Sequence, residues 1–174
     1  MNLDPHPMTS PIIPLPEFDQ EMAATRRLLE RVPTDKGEWK PHPKSFALGH
    51  LAQLVSWMPG WIAQTLREPF MDIAGGGESG GYSFEPTEKL VAGFDENVRQ
   101  ARAALQEVTG ARLDEPWSLK MGPRVLMTSP KGGAARQHLS HLVHHRGQLT
   151  VYLRLVNVPL PSIYGPTADE RWSG

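Results

Sequence analysis

Hydrophobic residues recur along this chain at the spacing of amphipathic helices in four separate stretches. An interval of three to four residues between apolar positions is typical of a helix that buries one face. The pattern predicts helices over residues 17–31, 46–67, 88–108 and 135–157. Prolines follow the first and the last of these stretches and Gly110 follows the third, and both residue types end helices.

The segments between the predicted helices are rich in proline and glycine. Residues 1–16 carry five prolines and are expected to form an extended N-terminal arm. Residues 69–86 include a run of glycines and are predicted to be a surface loop that connects two helices. Residues 113–134 alternate in polarity around Gly122 and Pro123, which favours a short hairpin or an ordered crossover.

The order of these elements predicts the fold class. Four amphipathic helices with one long connection before the last are typical of an all-α fold, a four-helix bundle. The 174 residues are enough for one sizeable core. We therefore expect a single domain over residues 17–174, which includes a C-terminal tail.

Composition narrows the classes of partner. The formal net charge is −1 and the pI is about 6.7, so no basic surface for nucleic acid or for an acidic membrane is expected. No apolar run reaches membrane-spanning length, and the N-terminus lacks the basic and apolar regions of a signal peptide, which predicts a cytoplasmic protein. The chain has no cysteine, so a metal ion would need histidine, carboxylate or water ligands.

Four of the seven histidines lie in the last predicted helix, at positions 138, 141, 144 and 145. At about 100° per residue, His141 and His145 are about 40° apart on a helical wheel, and His138 is about 20° from His145. His144 lies to one side of the inward face that these three histidines share. Two imidazoles at i and i+4 on an inward face are a good half-site for a transition metal. A single histidine on such a face is more often a core residue with satisfied hydrogen bonds, and spacing alone leaves both interpretations open.

Two segments of this chain resemble the closing part of the DinB family, the DNA-damage-inducible-type proteins that are grouped with thiol S-transferases of the same bundle. They read HLVHHRGQLTVYLR at 141–154 and PLPSIYGPTAD at 159–169. The stretches KPHPKS at 40–45 and MPGW at 58–61 look like that family's loop and second helix. The resemblance covers nearly the whole chain from the first helix to the tail.

The resemblance implies a four-helix bundle, often a homodimer, with a divalent metal ion on three histidines. One ligand comes from the second helix, and a pair spaced as His-x-x-x-His comes from the last, where it corresponds to His141 and His145. The chain departs from this pattern at the second-helix position, which aligns with Leu54. His50 lies one turn earlier and is the only histidine of that helix. Either His50 is the third ligand, which we favour, or the site has only two protein histidines and binds a metal weakly or not at all. His42, in the preceding loop, is the reserve candidate.

His138 is a weaker candidate for the third ligand. Residues 138 to 145 span about 10 Å of helix axis, so one ion cannot easily meet three histidines of one straight helix. His138 is therefore either a base beside the ligands or a packed core residue. Gln148 and Tyr152, one and two turns beyond His145, are candidates for orienting a ligand, and more often such residues pack with their polar ends satisfied.

Three imidazoles leave coordination positions open, which is typical of a catalytic site. Zinc suits these ligands best, and nickel, iron and manganese are the alternatives. Such an ion lowers the pKa of a bound water or holds a thiol as thiolate. We therefore expect a divalent-metal-dependent hydrolase or low-molecular-weight thiol transferase acting on a small molecule, with no catalytic side chain assigned. The alternative is a non-catalytic, stress-related bundle that binds a metal or a small ligand at a degenerate site.

Overall fold

The computed structural model describes residues 12–74 and 86–171, which are mostly helical. Five α-helices and three β-strands follow one another in these residues: α1 (Leu15–Leu29), α2 (Leu48–Arg67), β1 (Phe70–Asp72), α3 (Thr87–Glu107), α4 (Gly110–Leu113), β2 (Pro116–Met121), β3 (Arg124–Pro130) and α5 (Lys131–Leu155). A short 3-10 turn, Thr34–Lys36, lies between α1 and α2. Most of the predicted arm (1–11), most of the glycine-rich loop (75–85) and residues 172–174 lie outside the described residues.

The four long helices correspond to the four predicted ones, with differences at their ends. Helix α1 begins at Leu15, two residues before the predicted start, and α2 is continuous through Pro59 and Gly60. Helix α5 begins at Lys131, four residues early, although two glycines follow. The first turn of α5 is buried at Lys131, Gly132 and Ala134, and this packing outweighs the low helix propensity of glycine.

One apolar core lies between the long helices. Helix α2 packs along both α3 and α5, and α1 contacts the same two helices. Each fully buried large side chain of the core contributes about 1.5–3 kcal/mol of transfer free energy. The largest of these residues that come from the four long helices are Phe18, Leu28, Leu29, Leu48, Leu51, Met58, Ile62, Phe94 and Leu142. This packing holds the histidine-bearing face of α5 beside α2.

A small sheet corrects the predicted all-α class. The predicted hairpin is present, since β2 and β3 pair antiparallel and Gly122 takes a positive φ of 58° between them. The strand β1 lies in the segment predicted as a loop and pairs parallel with β2, with Met71 opposite Leu119. Met71 packs against Trp117 and Ala134 in a second apolar cluster. Three residues are too few to show an alternating pattern, so only this tertiary contact distinguishes β1 from a loop.

No helix among the described residues is long and apolar enough to span a membrane.

Candidate functional site

His141 and His145 meet on one face of α5. Their Nε2 atoms are 2.8 Å apart and their ring centroids are 4.6 Å apart, because a continuous helix places residues i and i+4 one turn apart. His145 is only 9% exposed, whereas His141 is exposed. The histidine pair therefore lies at the edge of the core and is open to solvent at one ring.

Gln148 fixes the tautomer of His145. The Nδ1 atom of His145 lies 2.7 Å from Oε1 of Gln148, and an amide oxygen can only accept a hydrogen bond. Nδ1 of His145 therefore carries the proton, and Nε2 presents its lone pair toward His141. This is the tautomer that a metal ligand needs, held by a partner on the other ring nitrogen. Gln148 thus lies beside His145, as its spacing suggested.

The surroundings favour neutral imidazoles at three of the candidate residues. Burial is the largest cause that lowers the pKa of His141, and the neighbouring His145 and His144 lower it further. The pKa of His50 is lowered by burial and then by Lys40. Burial, followed by the charge on His141, lowers the pKa of His138 to about 4. Neutral imidazole is the form that binds metal ions.

Two aromatic residues line the histidine pair, and no sequence signal marked them for this role. The ring centroid of Phe46 lies 4.6 Å from that of His50 and 6.4 Å from that of His145. The ring centroid of Trp61 lies 6.2 Å from that of His141. Phe46 therefore links His50 to the pair, and Trp61 covers the pair on another side.

The structure brings the three predicted ligands together only in part. Among the described residues, no group of three or more histidine, cysteine, aspartate or glutamate side chains is close enough to hold a metal ion. Leu54, at the position where the resemblance places a ligand, is half-buried against the core. The ring of His50, on α2, lies against that of Phe46. The reserve candidate His42 is exposed in its loop, where its Nδ1 accepts a hydrogen bond from the backbone of Lys44.

His138 and Tyr152 have aromatic neighbours of their own. The ring of His138 lies 5.8 Å from both Trp61 and Trp117, and its Nε2 is buried without a hydrogen-bond partner among the described residues. The ring of Tyr152 contacts Trp39 edge-on at 5.9 Å and packs against the core. Both side chains lie among apolar groups, as core residues of a helix face do.

Arg146, which directly follows His145, is a buried charged residue. Its side chain is 2% exposed and lies 2.6 Å from Glu21 of α1. It also donates to Thr25 and, in the C-terminal tail, to Tyr164. These contacts tie α5 to α1 and to the C-terminal tail.

Comparison with known proteins identifies the fold. A solved DinB-like protein of Bacillus subtilis, YjoA, is similar with a TM-score of 0.64 and 19% identity, and the match covers 93% of this chain and 100% of that one. A solved DinB-like protein of Bacillus cereus ATCC 10987 is similar with a TM-score of 0.66 and 22% identity, and the match covers 86% of this chain and 95% of that one. The uncharacterized protein YrdA of Bacillus subtilis (strain 168) is 43% identical over 44 residues, so the match spans about a quarter of either protein. No family model matches the chain. The chain has the fold of the DinB-like proteins, and the resemblance seen in the sequence is confirmed at that level.

Proposed function

We propose that this chain is a DinB-type four-helix bundle that binds a divalent metal ion through His141 and His145, with His50 as the third protein ligand. The observation that carries the proposal is the 2.8 Å separation of the two Nε2 atoms. An ion about 2.0–2.1 Å from two adjacent octahedral ligands places them about 2.9 Å apart. The wider tetrahedral spacing of about 3.3 Å requires a shift of only about half an ångström.

The residues around the histidine pair suit this role. With its proton on Nδ1 beside Gln148, His145 directs the lone pair of Nε2 toward His141, and an ion bound there would replace the hydrogen bond between the two rings. The rings of Phe46 and Trp61 lie 6.4 Å from His145 and 6.2 Å from His141, and the exposed ring of His141 gives a route of access. An ion held here would supply Lewis acidity to a water or a thiol, which suits a hydrolase or a thiol transferase. Zinc is the ion we favour, because imidazole binds it well.

A non-catalytic bundle that binds a metal or a small ligand is the second candidate. Leu54 favours it, because an apolar side chain packs where the resemblance expects a ligand. Among the described residues, no third histidine, cysteine, aspartate or glutamate side chain forms one group with the histidine pair. A site of two imidazoles would bind zinc more weakly than a site of three.

Cobalt titration of protein purified without an affinity tag tests the proposal. Co²⁺ bound to imidazoles gives visible absorption, and calorimetry with Zn²⁺ gives the Kd. We expect His145→Ala to abolish binding while helix content stays unchanged, because one of two converging nitrogens is lost. His144→Ala is the matched control, since this exposed neighbour lies on the same turn and should leave the Kd within about twofold.

The variant His50→Ala separates the two candidates. A rise in Kd of at least about tenfold, or about 1.4 kcal/mol, supports the three-histidine site. An unchanged Kd leaves a two-histidine site and favours the binding-only bundle. Full metal occupancy in His145→Ala would overturn the assignment of the pair itself.

A further inference from the structure

A cavity of about 360 Å³ lies between α2 and α3, next to the histidine pair but separate from it. This volume falls within the range of small-molecule sites, about 300–1,000 Å³. Trp61 forms the wall between the two regions, since its side chain lines the cavity and its ring lies 6.2 Å from His141. Five of the lining residues shape the proposed site, namely Trp57, Gly60, Trp61, Asn97 and Gln100, and two more, Arg67 and Glu68, are charged.

Two indoles give the cavity flat apolar surface. Trp57 and Trp61 lie one turn apart on α2, and Trp57 is 38% exposed. Indole faces bind planar rings by stacking. A planar aromatic ligand would therefore be bound better here than an aliphatic one.

Two amides fix the polar character of the opposite wall. The Nδ2 atom of Asn97 donates to the backbone oxygen of Ser56 at 2.9 Å, and Nε2 of Gln100 donates to a carboxylate oxygen of Glu96 at 2.7 Å. Because both partners can only accept, the orientation of each amide is determined. The carbonyl oxygens of Asn97 and Gln100 therefore remain as acceptors, and they suit a ligand edge that donates N–H groups.

Gly60 and two charged residues define the size and charge of the ligand. A Cβ atom at position 60 would lie 2.8 Å from Oδ1 of Asn97, closer than real Cβ contacts allow. The space beside Asn97 therefore depends on glycine. Arg67 and Glu68 also line the cavity and carry opposite charges, so the site favours a neutral ligand.

We propose that this cavity binds a neutral, planar heteroaromatic molecule with an exocyclic amino group. The ring stacks on Trp57 and Trp61, and the amino group donates to the carbonyl oxygens of Asn97 and Gln100. The site does not depend on the metal proposal, because none of its lining residues is a candidate ligand.

Fluorescence titration of the full chain with 2-aminopurine tests the proposal. This probe is neutral, planar and aminated, stacking on indole quenches its emission, and it can be excited beyond tryptophan absorption. We expect saturable quenching, and we expect purine, which has the same ring without the amino group, to compete at least tenfold more weakly. Gly60→Ala should raise the Kd at least tenfold, because its methyl group displaces Asn97.

Gly93→Ala is the matched control, because a Cβ at this helical position meets no atom within 4 Å. It should leave the Kd within twofold, and so should His145→Ala, which separates this site from the metal site. Trp57→Leu, at an exposed position, tests stacking without burying a new group and should raise the Kd at least fivefold. Absence of saturable quenching, equal affinity for purine, or an unchanged Kd in both Gly60→Ala and Trp57→Leu would overturn the proposal.

Discussion

Arg146 shows at the scale of single residues how one side chain stabilises the helix that carries the histidine pair. Its guanidinium group is buried and bonded to Glu21 and Thr25 of α1 and to Tyr164 of the tail. A buried charge is costly without a partner, and Glu21 is itself only 12% exposed. Since Arg146 follows His145 directly, these bonds also fix the rotation of α5 that presents the histidine pair.

Replacing Arg146 should therefore be far more harmful than replacing an exposed arginine. We expect Arg146→Met to lower the free energy of unfolding by about 3–5 kcal/mol, because the largely buried Glu21 loses its charged partner and keeps only the hydroxyl of Tyr164. Urea unfolding measures this loss. Arg136→Met is the control, since its pair with Glu17 is exposed (43% and 38%) and should cost less than about 1 kcal/mol. Equal losses in the two variants would contradict the role given to Arg146.

The histidine pair and Arg146 differ in how far the sequence could reveal them. A spacing of four residues on a helix is a local feature, so His141 and His145 could be paired from sequence alone. Glu21 lies 125 positions from Arg146, and no local pattern connects the two. The burial of Arg146 is therefore a property of how α5 packs against α1.

At the scale of elements, the C-terminal end of α2 is the junction between the helices and the sheet. The ammonium group of Lys131 lies 3.3 Å from the backbone oxygen of Leu66 and 3.2 Å from the carboxylate of Glu115. Arg112 donates to the backbone oxygens of Leu66 and Arg67. The last carbonyls of a helix lack partners within it and carry partial negative charge, so these cations satisfy them.

Removing the buried ammonium group should weaken this junction. We expect Lys131→Met to reduce the free energy of unfolding by about 1–3 kcal/mol, because a buried carbonyl loses a charged donor. Hydrogen exchange should increase in the last turn of α2 and in the first turn of α5. Lys36→Met is the control, because that side chain is 52% exposed and its loss should cost less than about 0.5 kcal/mol. If exchange at the end of α2 stays unchanged, Lys131 does not cap this helix.

At the scale of the whole molecule, His138 makes stability depend on pH. Its ring lies between Trp61 of α2 and Trp117 of β2, where the helices meet the sheet. Burial lowers its pKa from 6.5 to about 4. As pH falls through 6.5 the unfolded chain binds a proton on His138, while the folded chain does so only near pH 4. Unfolding therefore takes up a proton in this window, and stability is lost as pH falls.

The loss attributable to His138 should be on the order of 3 kcal/mol between pH 6.5 and 4, since each pKa unit corresponds to about 1.4 kcal/mol. We expect His138→Leu to keep that part of its stability at low pH. Urea unfolding at several pH values measures how the free energy of unfolding of each protein depends on pH. Above pH 7 this dependence should be the same in the variant and in the original protein. The same slope in both proteins below pH 6.5 would assign the pH dependence to other groups.

The sequence by itself determined the four long helices, the hairpin between β2 and β3, and the pairing of His141 with His145. Each of these depends on a period that repeats within a few residues, and local backbone geometry converts that period into structure. The tertiary structure alone decided that β1 is a strand, that Arg146 is buried, and that Phe46 lies between His50 and the histidine pair while Leu54 packs half-buried against the core. Those outcomes depend on how helices rotate and pack against partners far along the chain, and no local period encodes that rotation.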